Sequence, residues 1–325
     1  MPFPLREVLS RLRVRPAASL PPAARAPLLA ADEIAQLAVQ AELLAEVQPA
    51  REVHDHHAGD WSSPWLGHGL DFEESRPYVA GDDIRDMDWR TTARTGRAYL
   101  KSYREERQPT LHLVLDRSAG MRFGTRRRLK VSQAARATAL LAFAAAGHNA
   151  TIGGTLWDSS DLELPPLHGR SGALALIEAA ARPCPPLPDA AATEPMHYRD
   201  RLAALDAGLA RGTELVLLSD FAWLSEQHEA LLARLAERMD LLAVQINDPA
   251  ERALPDVGLA RFHDMTRGDE YWIDTGQASI RAAWAAAFRA RQASIAQHLA
   301  RAGARHLVLG SEVDALLPVF LAHHA

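Results

Sequence analysis

The chain has 325 residues, with 36 basic and 41 acidic side chains, a formal net charge of −5 and one cysteine. This length holds one large α/β domain with an appendage or two modest domains, and the mild acidity excludes a protein devoted to coating nucleic acid. Cys184 has no second cysteine to pair with, so a reducing compartment fits.

Prolines 16, 21, 22 and 27 break the first thirty residues, after which Asp32 caps a helix running to about Val47. The opening residues lack an apolar segment followed by a small-residue cleavage site. The most apolar helical stretch, Ala134–Ala146, is too short to cross a bilayer, which needs about twenty apolar residues. A cytoplasmic chain without membrane insertion is expected. Residues 51–88 are rich in Gly, Asp, His and Trp and read as loops and short turns. A strand follows at Arg97–Glu105, and Pro109 separates it from a second, almost purely apolar strand that ends in Asp116.

Strands and helices then alternate. Helices are predicted at Leu129–Ala146, Gly172–Ala181, Tyr198–Ala210, Glu226–Met239, Ala278–Ala302 and from Val313; strands at Ala150–Trp157, Glu214–Asp220, Leu241–Asn247 and His306–Leu309, with a strand pair within Arg261–Asp274. A proline-rich loop runs to Glu194. Short apolar strands between amphipathic helices predict an α/β fold, a mostly parallel sheet covered on both faces. The expected organisation is an N-terminal helical arm (1–50), a loop-rich segment with a short strand (51–108) and the sheet domain (109–325). Lys101 and Lys130 are the only lysines, a bias given no functional meaning.

Two constellations carry chemistry. Asp116 and Asp220 each end an apolar strand, and a parallel sheet brings such ends to one rim, where Ser118 adds a hydroxyl and Mg²⁺ or Mn²⁺ finds oxygen ligands. The plainer reading is that each Asp caps the helix that follows it, with Ser118 and Ser219 helping. The second constellation, GLDFEESRPYVAGDDIRDMDWRTTAR, spans Gly69–Arg94 and gathers Asp71, Glu73, Glu74, Arg76, Asp82, Asp83, Arg85, Asp86, Asp88, Arg90 and Arg94 around Phe72, Tyr78 and Trp89, with Gly81 at a turn. It reads as an arginine–carboxylate network anchored by Trp89, the alternative being a catalytic carboxylate cluster. His54, His56, His57 and His68 fit no closed zinc spacing. No phosphate-binding G-x-x-x-x-G-K-[ST] loop occurs, so ATP hydrolysis by this chain is not expected. The run Arg126 to Arg128 reads as a solvated helix start able to meet an acidic partner.

The long segment, together with LVLDRSAGM and LVLLSDF, resembles the bacterial family known as domain of unknown function fifty-eight, from about Gly67 to the C-terminus. The resemblance implies a von Willebrand factor A-like, Rossmann-like fold and a MoxR-type AAA+ ATPase as companion. It also implies a metal-ion-dependent adhesion site, with Asp116 and Ser118 in its first two positions and Asp220 as its distant aspartate. Gly120 stands where the motif has a second serine, and Thr193 is the one candidate for its distant threonine, so Mg²⁺ or Mn²⁺ would bind weakly. The function this implies is a non-enzymatic adaptor for remodelling or assembling a protein complex. The alternatives are a metal-dependent hydrolase and a structural subunit whose metal site has decayed.

Overall fold

The computed structural model describes residues 27–47, 70–79, 84–105, 109–185, 197–263 and 270–324. The chain divides into two compact units, residues 1–50 with 109–325, and residues 51–108.

In the larger unit, six strands form one sheet: β3 (Thr110–Asp116), β4 (Thr151–Trp157), β5 (Leu162–His168), β6 (Glu214–Ser219), β7 (Asp240–Asn247) and β10 (Arg305–Gly310), in the spatial order β10-β7-β6-β3-β4-β5. All neighbours are parallel except β4 and β5. Counted within this unit the order is 3-2-1-4-5-6, that of a doubly wound, Rossmann-like sheet. The mostly parallel sheet with helices on both faces is the one expected from the sequence, and β5 adds an antiparallel strand at its edge.

The two faces of the sheet can be read from alternate residues. Val216 and Leu218 on β6 join Leu113, Leu115, Val244 and Ile246 in one core with α1 (Ala31–Val47), α3 (Lys130–Gly147), α4 (Gly169–Ala181) and α9 (Leu317–His324). Leu215 and Leu217 point the other way, into a second core with α5 (Tyr198–Gly208), α6 (Glu226–Arg238) and α8 (Ala278–Arg301). Period-two burial on both faces is what near-continuous apolar strands require. Helix α3 buries Ala134, Ala135, Ala137, Ala139, Ala142 and Ala144, whose small side chains let neighbouring helices approach closely. The arm helix α1 uses this by inserting Leu37, Ala41 and Leu44 into the same core.

The structure corrects the sequence reading at several points. Strand β5 was not expected, because Pro165 and Pro166 interrupt its pattern; they lie where its register with β4 shifts opposite Gly153, at a sheet edge where missing N–H donors are tolerated. The one-turn helix α7 (Pro249–Arg252) was also missed, and α9 begins at Leu317 rather than Val313. A hairpin of β8 (Leu259–His263) and β9 (Glu270–Asp274) fills the predicted strand pair.

In the smaller unit, β1 (Leu70–Pro77) pairs antiparallel with β2 (Tyr99–Glu105), so a strand stands where loops were expected. Helix α2 (Trp89–Thr95) follows a 3₁₀ turn at Ile84–Asp86. The Asp88 carboxylate accepts from the amides of Arg90 (3.1 Å) and Thr91 (3.0 Å), and Gly96 closes the helix at φ 71°.

Candidate functional site

Three parallel strands end on one rim, each at an aspartate: Asp116 as the last residue of β3, Asp220 just after β6 and Asp248 just after β7. All three make the same local turn. One carboxylate oxygen accepts from the amide two residues on, Ser118 N at 2.9 Å, Ala222 N at 2.9 Å and Ala250 N at 3.0 Å. Asp116 and Asp220 thus close local turns rather than cap the helices that follow, whose N-caps are Leu129 and Ser225.

The second oxygen of each reaches across the sheet. Asp116 Oδ2 accepts from Ser219 Oγ at 2.6 Å, tying β3 to β6. Ser219 Oγ in turn accepts from Phe221 N (3.0 Å) and Trp223 Nε1 (3.1 Å). Asp248 accepts from Thr125 N (3.0 Å), from the Thr125 hydroxyl and from Ser311 Oγ (2.7 Å), joining the turns after β3, β7 and β10. Asp220 Oδ2 takes the Lys130 ammonium at 2.8 Å.

Lys130 is the centre of the rim. It is 1% exposed and also meets Glu251 Oε1 at 2.6 Å; Glu251 Oε2 accepts from Asp248 N at 2.8 Å. Burial works against the lysine's charge, but Asp220 and Glu251 outweigh it and hold the ammonium above its ordinary pKa. Burial would raise Asp220, yet Lys130 keeps it below the usual carboxylate range. Asp116 has no cation of its own: burial, then the charge of Asp220, push it from 3.8 up to about 6. Its neighbour Ser118 shares hydrogen bonds with Asp116 and with the Tyr198 hydroxyl, which burial drives upward.

The turn after Asp220 is strained and clamped. Phe221 is fully buried with φ 52°, a left-handed conformation unusual for a bulky side chain. Arg291 on α8 donates to the carbonyls of Phe221 (2.7 Å), Ala222 (2.7 Å) and Leu224 (3.1 Å). Tyr198 stacks on Trp223 with centroids 4.5 Å apart, and Trp157 meets both edge-on. On the other flank, Arg117 and Arg122 both bind Asp158 at the end of β4. Of the basic run, Arg126 is solvent-exposed as expected, while Arg127 and Arg128 pair with Asp314.

The family model described as "Protein of unknown function DUF58" matches residues 74–294. The chain belongs to this family. Curated relatives include the uncharacterized proteins Mb1516 of Mycobacterium bovis and Rv1480 of Mycobacterium tuberculosis H37Rv. Each is 30% identical over 270 residues, covering 82% of this chain and 81% of the relative. Among solved structures, the conserved hypothetical protein BatB from Bacteroides thetaiotaomicron is similar at 12% identity and TM-score 0.37, over 60% of this chain and 98% of that one. An aerotolerance-related membrane protein from Bacteroides fragilis is similar at 13% identity and TM-score 0.40, over 66% and 96%.

In this DUF58 chain Asp116, Ser118 and Asp220, which the resemblance assigns to an adhesion site, do come together, but the Lys130 ammonium on Asp220 Oδ2 does not fit a divalent cation at that oxygen. All six carboxylate oxygens of Asp116, Asp220 and Asp248 already accept hydrogen bonds or an ion pair from the chain. Gly120 supplies no hydroxyl, and a β-carbon there would stand 2.9 Å from Asp220 Oδ2. Among the described residues no three His, Cys, Asp or Glu side chains are grouped to hold a metal ion. Thr193 lies outside the described residues, as do Gly81, Asp82, Asp83 and the front histidines. The side chains of Asp71, Phe72, Arg76 and Asp86 are likewise not described.

The rest of the signature departs from the expected network in two respects. Trp89 is 68% exposed rather than a packed anchor, because it is the first residue of a short, solvated helix. Asp88 serves as the cap of that helix. Tyr78 is half-buried, and Arg85 and Arg94 are exposed. Lys130, Glu251, Tyr198 and Asp248 were missed, and Ser219 was expected only to help a cap. Asp248 had a readable signal, since it follows an apolar strand as Asp116 and Asp220 do.

Proposed function

We propose that this chain is a non-enzymatic interaction module, a von Willebrand factor A-like adaptor that works with a MoxR-type AAA+ ATPase in remodelling or assembling another protein complex. One observation carries the non-enzymatic reading. The rim carboxylates that a hydrolase would need free as base or ligand are each held by donors of the chain itself. What remains at the carboxyl ends of the strands is a braced surface, where ligands of doubly wound sheets collect. The ATPase partner rests on the family resemblance. A cytoplasmic location is part of the same proposal, supported by the absence, among the described residues, of any helix long and apolar enough to cross a membrane.

A structural subunit whose rim no longer engages a partner is the second reading, favoured by Gly120 at a position the motif gives to serine. Isolation of the tagged full chain from its host, in Mg²⁺ and ATP or in chelator, separates the two. The adaptor predicts recovery of an AAA+ ATPase, diminished by Phe123→Ser at an exposed position in the loop after β3. Absence of any ATPase in both buffers favours the structural subunit.

A further inference from the structure

We infer that the Lys130 ammonium is the built-in cation of this rim, standing in place of a divalent metal, so that the rim is assembled without Mg²⁺ or Mn²⁺. The inference rests on the geometry of the rim and not on the identity of any partner.

Three independent features point to it. First, the ammonium bridges carboxylates from two different strand ends, Asp220 after β6 and Glu251 in the turn after β7, at 2.8 and 2.6 Å with almost no exposure. A cation drawing separate strand ends together by their oxygens is the service a rim metal gives. Second, Gly120 is matched to this arrangement. The chain approaches Asp220 Oδ2 so closely there that any side chain would press on the carboxylate. The missing serine is thus more than one lost ligand, because its absence lets Asp220 take up the position in which it meets Lys130. Third, Lys130 is the first residue of α3, at the positive end of the helix dipole, with no acidic residue in that first turn. Helix formation disfavours a cation there, so the placement is explained by its counter-charges across the rim.

A consequence follows for docking. In a metal-bearing rim the cation keeps one coordination position for a partner's carboxylate. The Lys130 ammonium spends two of its three donors on Asp220 and Glu251 and is 1% exposed, so it presents no cation to a partner's carboxylate, and a partner must be met by the surface around it.

Mn²⁺ binding by the purified full chain, read by the electron paramagnetic resonance signal of free Mn²⁺, together with thermal unfolding with and without Mn²⁺, tests the inference. The wild type is expected to show no saturable binding and an unchanged melting temperature. Lys130→Ala removes the ammonium and leaves the carboxylates, so it is expected to melt lower, to gain saturable binding and to be raised again by Mn²⁺. Saturable binding by the wild type that Asp220→Asn abolishes would overturn the inference, as would a folded Lys130→Ala that binds no Mn²⁺. If Lys130→Ala does not fold in chelator, refolding in Mn²⁺ decides: recovery supports the built-in cation, and failure overturns it. No outcome depends on an ATPase, so the adaptor reading stands or falls separately.

Discussion

Gly120 and Asp220 come so close that a β-carbon on residue 120 would lie 2.9 Å from Asp220 Oδ2. This makes residue 120 a steric partner of a carboxylate one hundred residues away. Gly120→Ala is therefore expected to cost about 1–3 kcal/mol, as overpacking does. In the Asp220→Ala background the same change should cost far less. Urea unfolding of the four proteins in a double-mutant cycle checks this, and equal costs in both backgrounds would show that Asp220 is not what crowds the position.

Removing one side of a buried ion pair leaves the other uncompensated. Lys130→Met strands Asp220 and Glu251, and should destabilise the larger unit by about 3–5 kcal/mol. Adding Asp220→Asn to Lys130→Met should recover part of that loss. Chemical denaturation reads both, and strict additivity of the two changes would contradict the coupling.

Two residues of β3 act on the pH dependence of stability in opposite directions. His112 bonds Thr155 Oγ1 at 2.9 Å, and burial lowers its pKa from 6.5 to about 4. Below 6.5 the unfolded chain takes up a proton that the fold refuses, so this contribution is present at neutral pH and lost as pH falls. Asp116 is raised from 3.8 to about 6, so above 3.8 the unfolded chain releases a proton that the fold still holds. That contribution is lost as pH rises. Each amounts to on the order of 3 kcal/mol at full extent, and the two offset each other between about pH 4 and 6. Asp116→Asn should make stability fall toward acid and His112→Gln should make it rise. Denaturation across that window, with both variants sloping the same way, would refute the assignment.

Asp88 holds the first turn of α2 through two backbone amides. Asp88→Ala should cost about 1 kcal/mol, the usual worth of such a cap. Hydrogen exchange at Arg90 and Thr91 should quicken several-fold while amides of β6 and β7 keep their protection.

The sheet was legible because its strands are short and apolar on both faces, so that β6 and β7 declare themselves without any tertiary information. Strand β5 was not, since Pro165 and Pro166 contradict the local pattern and only its place at an edge permits them. Strand β1 was hidden by its charged sequence LDFEESRP, which becomes a strand through pairing with β2. At the rim, Asp116 and Asp220 could be placed from the residues that precede them, because a strand end is a local feature. Lys130 could not, since nothing local tells a lysine opening a helix that it will be buried. Its role comes from Asp220 and Glu251, about ninety and one hundred and twenty residues further along, and exists only once the sheet has closed.

Strand β5 also determines how this protein can meet others of its kind. An open sheet has two borders, and an unpaired border is a template onto which a foreign strand can add. On β5 that border is interrupted by two consecutive imino acids with no hydrogen to donate, at the point where the ladder already shifts opposite Gly153. Among the described residues, this border of the sheet is thus poorly able to recruit another chain by backbone pairing, and extension of the sheet is hindered there by covalent structure rather than by charge.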